Sequence, residues 1–326
     1  MNKNTIDNNN IDGIHLYNTK NSYFWNNTLN SNSKGISLES ESNNNTITGN
    51  SANFNHQGGI VLSSSEYCEV SGNTANNNEW HGIALHSSEF CEVNGNIAND
   101  NILQGIALFS SEFCEVNGNI ANHNIKNGII IYYSHNNTCI ENTASNNEVD
   151  GIVLINSDDN DIMGNTANYN SYHGIGMDFC HNNEIIGNTA SFNSEWGIAL
   201  VDSERNEIKD NIVSNNYHGI GLGNSHYNNI TGNIVSHNTN YGIALNVSSY
   251  NHIEGNDISD NLLGCIAESP GCIDNVIINN KCQYDFIGFF QTGMGILMIV
   301  GLISIPIVSI ALFILNIKNK KSRRVD

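Results

Sequence analysis

At 326 residues with a net charge of −20, the chain is long enough to bury a sizeable core but too poor in Lys and Arg to neutralise a phosphate backbone, which excludes nucleic acid as a partner. Charged residues make up 13% and there are only two prolines. The charge is also uneven: residues 1–285 hold 31 acidic and 7 basic side chains, whereas 286–326 hold five basic and one acidic.

From its first residues the chain repeats. Gly-Ile recurs from Gly13 to Gly242 at intervals of 22 to 24 residues and ends in a degenerate Gly264-Cys265-Ile266. Asn4, Asn27, Asn50 and Asn73 open a ladder spaced by 23 that runs to Asn211 and then through Asn233, Asn256 and Asn279, and a second ladder runs from Asn9 and Asn32 to Asn238 and Asn261. Within a unit, apolar residues alternate in short runs, as in Ile198 and Leu200, with Gly, Asn and Ser between runs. That is the signature of short strands, three to a lap. No lap can cover its own apolar face, so the core exists because laps stack. About twelve laps at ~4.8 Å each make a rod roughly 58 Å long. Asparagine amides one lap apart can pair with each other, and asparagine tolerates left-handed turns, so the abundant Asn is structural.

The lap pattern N-x-I-x-x-N…G-I-x-L-x-x-S-x-x-N-x-I-x-G-N, matched by nearly every lap from Asn27 to Asn261, resembles NosD-like repeats within the pectin-lyase type of right-handed parallel β-helix. The resemblance implies an all-β, single-stranded right-handed solenoid over residues 1–285. It says little about function, because related coils serve polysaccharide lyases, hydrolases and epimerases, adhesins, and a periplasmic protein linked to copper sites. Asn4 and Asn9 already stand in register, so the expectation is that Met1 is internal, with a signal peptide and a cap upstream.

In chain order, the first chemical groups are Cys68, Cys91 and Cys114, in SSEYCEVSGN and twice in SSEFCEVNGN, at the place held by Asn137, Asn160 and Asn183 in later laps. A disulfide between neighbours, a soft metal such as Cu(I) on stacked thiolates, or a small thiol filling the Asn slot are the alternatives. Beside them Glu66, Glu89 and Glu112 form one outward column and Glu69, Glu92 and Glu115 another. Such columns repel unless solvated, or bridged by a cation such as calcium. Before the Gly-Ile pairs runs a stripe of Trp80, His81, Tyr172, His173, Trp196, Tyr217, His218 and Tyr241, expected at the surface and suited to sugar rings. Asp178 and Asp202, one lap apart, are the candidate catalytic pair. Arg205 and Lys209 are the close basic pair that a uronate lyase would want, but the constant lap length leaves no loops to wall a cleft. An enzyme is therefore the lesser reading. Sequons stand at Asn26, Asn44, Asn136, Asn229 and Asn246.

In the last lap, Cys272 is expected to pair with Cys282 or Cys265. Residues 294–315 are uncharged and mostly apolar, long enough as a helix to cross a bilayer, so 286–317 is expected to span the membrane. Lys318, Lys320, Lys321, Arg323 and Arg324 follow in the short tail 318–326, which the positive-inside rule places in the cytoplasm with the solenoid outside. The combined expectation is a surface rod that binds glycans or other surface molecules, with a polysaccharide-acting enzyme and copper handling as alternatives.

Overall fold

Each lap begins with a glycine because the next lap leaves no room for anything larger. A Cβ on Gly82 would stand 2.7 Å from the carbonyl oxygen of Gly105 and 2.8 Å from that of Ala75. The Ile that follows points inward, and strands such as Ile83–His86 bury their first and third side chains completely. Tight turns separate the runs, and one of them requires a left-handed residue: Gly95 has φ 62°, and Glu141 and Asp210 hold the equivalent place at φ 55° and 53°.

The computed structural model describes residues 1–283, which form one unit, Met1–Gln283. It is a parallel solenoid of 12 coils, numbered here by their strands in the first sheet, from Ile14–Tyr17 to Gly264–Glu268. A second 12-stranded sheet runs beside it, from Tyr23–Trp25 to Val276–Ile278. All pairings are parallel and join each strand to its equivalent in the next coil, as Ile83 to Ile106 and Val93 to Val116.

Three strands per lap holds only for the later coils. The third side is a chain of single bridges from Thr5–Thr28 to Thr166–Thr189, and becomes a five-stranded sheet only from Thr189–Ser191 onward. The early coils carry Asn two residues after the bridge, with Asp7 and Ser145 as the exceptions, and that side chain takes the backbone N–H of the next coil, as Asn53 Oδ1 does from Asn76 at 2.7 Å. That competing bond shortens the ladder. The first strand keeps the inward Ala190, and Val213 and Val235 replace it in the next two.

The core is one continuous column of aliphatic side chains lined by polar ladders. Asn73 Nδ2 donates to Asn96 Oδ1 at 3.0 Å and Asn96 Nδ2 to Asn119 Oδ1 at 3.0 Å, all buried. In the last coil the ladder passes to Asn280, at 2.9 Å from Asn256 Nδ2, and not to Asn279. That lap is one residue longer than the interval of 23 would have it, and Asn279 sits in the left-handed turn at φ 55°. A disulfide joins Cys265 to Cys282 across the final coil and leaves Cys272 free, so Cys272 is not the partner expected of it. No helix long and apolar enough to cross a membrane occurs among the described residues; the expected span 286–317 lies outside them.

Candidate functional site

On the outer face of the first sheet, three columns of side chains run along the rod. The first stands just before each Gly-Ile pair and reads Asp12, Lys34, Gly58, His81, Gln104, Asn127, Asp150, His173, Trp196, His218 and Tyr241. The second, two residues past the glycine, includes Ala84, Ala107, Ile130, Val153, Gly176, Ala199 and Gly221; the third, two further on, includes His86, Phe109, Tyr132, Ile155, Asp178 and Val201. In coils 4 to 7 this face is closed by an apolar ridge in which Phe109, Tyr132 and Ile155 cover Ala84, Ala107, Ile130 and Val153. Surface depressions lie on either side of the ridge.

The depression of coils 7 to 9 has a volume of about 260 Å³. Its floor is low because the second column shrinks from Val153 to Gly176 and Ala199. Tyr172, His173 and Asp150 form one wall; Ile155, Asp178 and Val201 form the other. Backbone amides of successive coils fix the first wall. Asp150 Oδ1 accepts the N–H of His173 at 2.9 Å, and His173 Nδ1 accepts the N–H of Trp196 at 3.3 Å. With Nδ1 accepting, the ring proton of His173 sits on Nε2. Asp150 is 7% exposed, and its burial pushes the carboxyl up to about 6, against the pull of the His173 N–H. Burial holds His173 down to about 4, a neutral imidazole at physiological pH. Asp178 is raised by burial and then by the charge of Asp202. Asp202 itself lies just past the strand at φ 46° and accepts a hydrogen bond from Asn224 Nδ2. Asp178 and Asp202 are thus neighbours on the rim, and Asp150 is the carboxylate built into the wall.

Beyond the wall, the rings of Trp196 and His218 stack at 3.9 Å and 10°, and Tyr217 meets His218 edge-on at 4.7 Å. Tyr172 and Tyr217 are exposed, whereas Trp196, His173, His218 and Tyr241 are half-buried. The stripe read from the sequence is therefore two adjacent columns, one exposed and one supporting it.

The depression of coils 2 to 4, about 220 Å³, is lined by Lys34, Gly58, Val61, Trp80, His81 and His86. Burial, then the nearby His86, holds His81 down to about 4. A third depression lies by Asp12 and His15. Asp12, His15 and Glu39 are the one group of three or more metal-competent side chains brought together among the described residues. Lys34 Nζ already stands 3.2 Å from Glu39 and 3.9 Å from Asp12, so an ammonium fills the place a cation would take.

The other candidates are placed differently. Cys68, Cys91 and Cys114 are free and buried in the core. Each thiol donates to a carbonyl 26 residues back, Cys91 to Ser65 at 3.3 Å and Cys114 to Ser88 at 3.2 Å, as Asn160 does to Ser134. Hydrogen bonding with its two thiol neighbours and burial push Cys91 well above the usual thiol range. Glu66, Glu89 and Glu112 are half-buried on an outer turn, alongside Tyr67, Phe90 and Phe113, whose rings stack at 4.9 and 5.0 Å. Arg205 pairs with Glu204 at 3.1 Å and lies over Tyr227, and Lys209 sits in the second sheet. The sequence reading missed Asp150, Lys34 and His86. Asp150 could have been found as the acidic residue just before Gly151, where later laps carry His or an aromatic.

Two family models match the chain: a right-handed β-helix region over residues 1–144 and the periplasmic copper-binding protein NosD over residues 167–288. With the twelve-coil parallel solenoid, they settle the architecture. The chain is a right-handed β-helix repeat protein. The copper-binding match does not include Cys68, Cys91 or Cys114. No curated protein matches by sequence. Among solved structures, a mutant of the periplasmic alginate epimerase AlgG is similar at 16% identity and a TM-score of 0.59, over 83% of this chain and 74% of that one. The A-module of the Azotobacter vinelandii mannuronan C-5 epimerase AlgE6 is similar at 12% identity and 0.59, over 86% and 78%. The Dettilon tailspike protein is similar at 18% identity and 0.65, over 82% of this chain and 61% of that one. At these identities the likeness concerns the fold.

Proposed function

We propose that this protein is an extracytoplasmic rod, tethered by the apolar segment 294–315, that binds a polysaccharide along the outer face of its first sheet. The observation that carries this reading is the alignment of the depressions on one face, with exposed Trp80, Tyr172 and Tyr217 along one edge. The two depressions that flank the ridge, about 260 and 220 Å³, are smaller than the ~300 to 1,000 Å³ usual for a small-molecule pocket. A polymer touching several shallow sites in turn gains what no single site supplies. Coils repeat every ~4.8 Å, a step comparable with one pyranose unit, so equivalent side chains can meet successive sugars. The match to a periplasmic family and the epimerase and tailspike neighbours support an extracytoplasmic setting and a glycan partner.

The test is a glycan array probed with the full chain in mild detergent, repeated with Gly176→Val, which restores the bulk of Val153 to the floor. Retention by a glycan class with loss of at least tenfold in the variant supports the reading. Binding to no glycan, or binding untouched by the filled floor, removes it.

A further inference from the structure

The depression of coils 7 to 9 carries more information than its shape, because its charge has one sign. Asp150 and Asp178 stand on opposite walls, and no Lys or Arg contributes to the lining. Asp150 Oδ1 is committed to the His173 amide, while Oδ2 has no protein partner among the described residues. Asp202 adds a third carboxylate at the rim beside Asp178. The imidazoles on this face offer no compensation: burial keeps His173 neutral and lowers His218 as well. Arg205 is held by Glu204, and Lys209 by Glu207 at 3.9 Å, both on other faces of the coil. Lys126, which precedes Asn127 in the coil before Asp150, does not line the depression.

A polyuronate laid here would set one carboxylate per sugar against Asp150 and Asp178 in a partly desolvated site, where like charges cost most. A polymer with ammonium groups would instead meet them as charge-assisted hydrogen bonds. The remaining surfaces fit a sugar better than a basic peptide. The floor of Gly176 and Ala199 is flat and apolar, as the axial C–H face of a pyranose requires, and exposed Tyr172 stands beside it.

We propose that this section of the face recognises a polysaccharide of hexosamine units with free amino groups, Asp150 and Asp178 pairing with ammonium groups while the Gly176 floor and Tyr172 seat the ring. The proposal rests on the glycan-binding reading above and adds the chemical class of the glycan.

The experiment titrates the full chain in mild detergent with four probes of matched length: chitosan oligosaccharides, their fully N-acetylated counterparts, oligogalacturonate and oligolysine. Chitosan oligosaccharides are expected to bind at least tenfold tighter than each of the others. The double variant Asp150→Asn and Asp178→Asn is expected to abolish that preference. Asn at 150 keeps an oxygen for the His173 amide, so a melting temperature no lower than that of the wild type shows the fold intact, and the single Asp178→Asn is expected to reduce the preference by itself. Equal or tighter binding of the acetylated or uronate probe overturns the amino-sugar inference and leaves the glycan reading standing. Equal binding of oligolysine also overturns it, by showing that charge alone is recognised. Binding of none of the probes overturns both.

Discussion

The six-membered ring of Trp196 occupies the space in which a side chain on Gly221, one coil further on, would stand. The indole is held between that bare backbone and the His218 ring, 3.9 Å away. Gly221→Ala is therefore expected to expel the indole and to cost about 1 to 3 kcal/mol by overpacking. Gly176→Ala, in the same column, meets only ordinary contacts at 3.5 Å and beyond and is expected to be near neutral. Trp196 fluorescence, in a background with Trp25 and Trp80 replaced by Phe, should shift to the red for the first variant alone. An unshifted spectrum in Gly221→Ala would show that the contact does not hold the ring.

The thiol ladder should behave as a substituted amide ladder. Cys91→Asn is expected to be neutral or stabilising, because its amide can donate to Ser65 and accept from the Cys68 N–H as the thiol does now. Cys91→Val leaves both groups buried and unpaired and is expected to cost about 1 to 3 kcal/mol. Chemical denaturation of the two variants checks this, and a Val variant as stable as the Asn variant would refute the amide equivalence.

Acid should separate Asp150 from the histidines. The folded state raises Asp150 from 3.8 to about 6, so above 3.8 the unfolded chain releases this proton first and the buried carboxyl is a cost, fully present above about pH 6. Asp150→Asn is therefore expected to melt higher than the wild type in neutral buffer, the difference shrinking as pH falls through 6 towards 4. His81 and His173, lowered from 6.5 to about 4, work the other way and weaken the wild type as pH falls through that window. Melting curves across the range decide it; a difference independent of pH would mean that ionised Asp150 carries no burial cost.

Reduction should loosen one end. The Cys265–Cys282 bridge closes a loop 17 residues long, for which loop entropy gives about 3 kcal/mol. Because each coil contacts only its neighbours, that loss should stay local. Hydrogen exchange after reduction is expected to quicken over 264–283 and to leave coils 3 to 9 unchanged. Uniform acceleration along the chain would show cooperativity longer in range than neighbouring coils.

The repeat could be read from the chain because each of its causes is a single residue type at a single position. Gly-Ile marks a close approach of coils, inward Asn marks a ladder, and Cys91 in an Asn slot follows by counting. What escaped counting depends on one-residue offsets and on neighbours in adjacent coils. Asn279 and Asn280 are equivalent by eye, and only the added residue of the last lap decides which one turns inward. The candidate site was half legible: Tyr172, His173 and Asp178 line the depression, but the depression exists because Gly176 follows Val153 one coil on, a contrast invisible within any lap. Asp150 was missed for the same reason, since its role comes from the amide of His173 a coil later.

The Asn ladders have a direction. Asn96 Oδ1 accepts both the backbone N–H and the Nδ2 of Asn73, at 2.9 and 3.0 Å, and its own Nδ2 reaches back to Val70 O at 2.8 Å. Removing that amide would leave the Asn73 N–H without its acceptor and cost Val70 O a donor, while Asn73 Nδ2 keeps the carbonyl of Ile47 at 2.8 Å. On the other side Asn119 Oδ1 would lose one donor and keep a second, the main-chain N–H of residue 96 at 2.8 Å. The rod therefore has a grain, like timber: a fault in one rung opens the coils that precede it and leaves those that follow nearly sound.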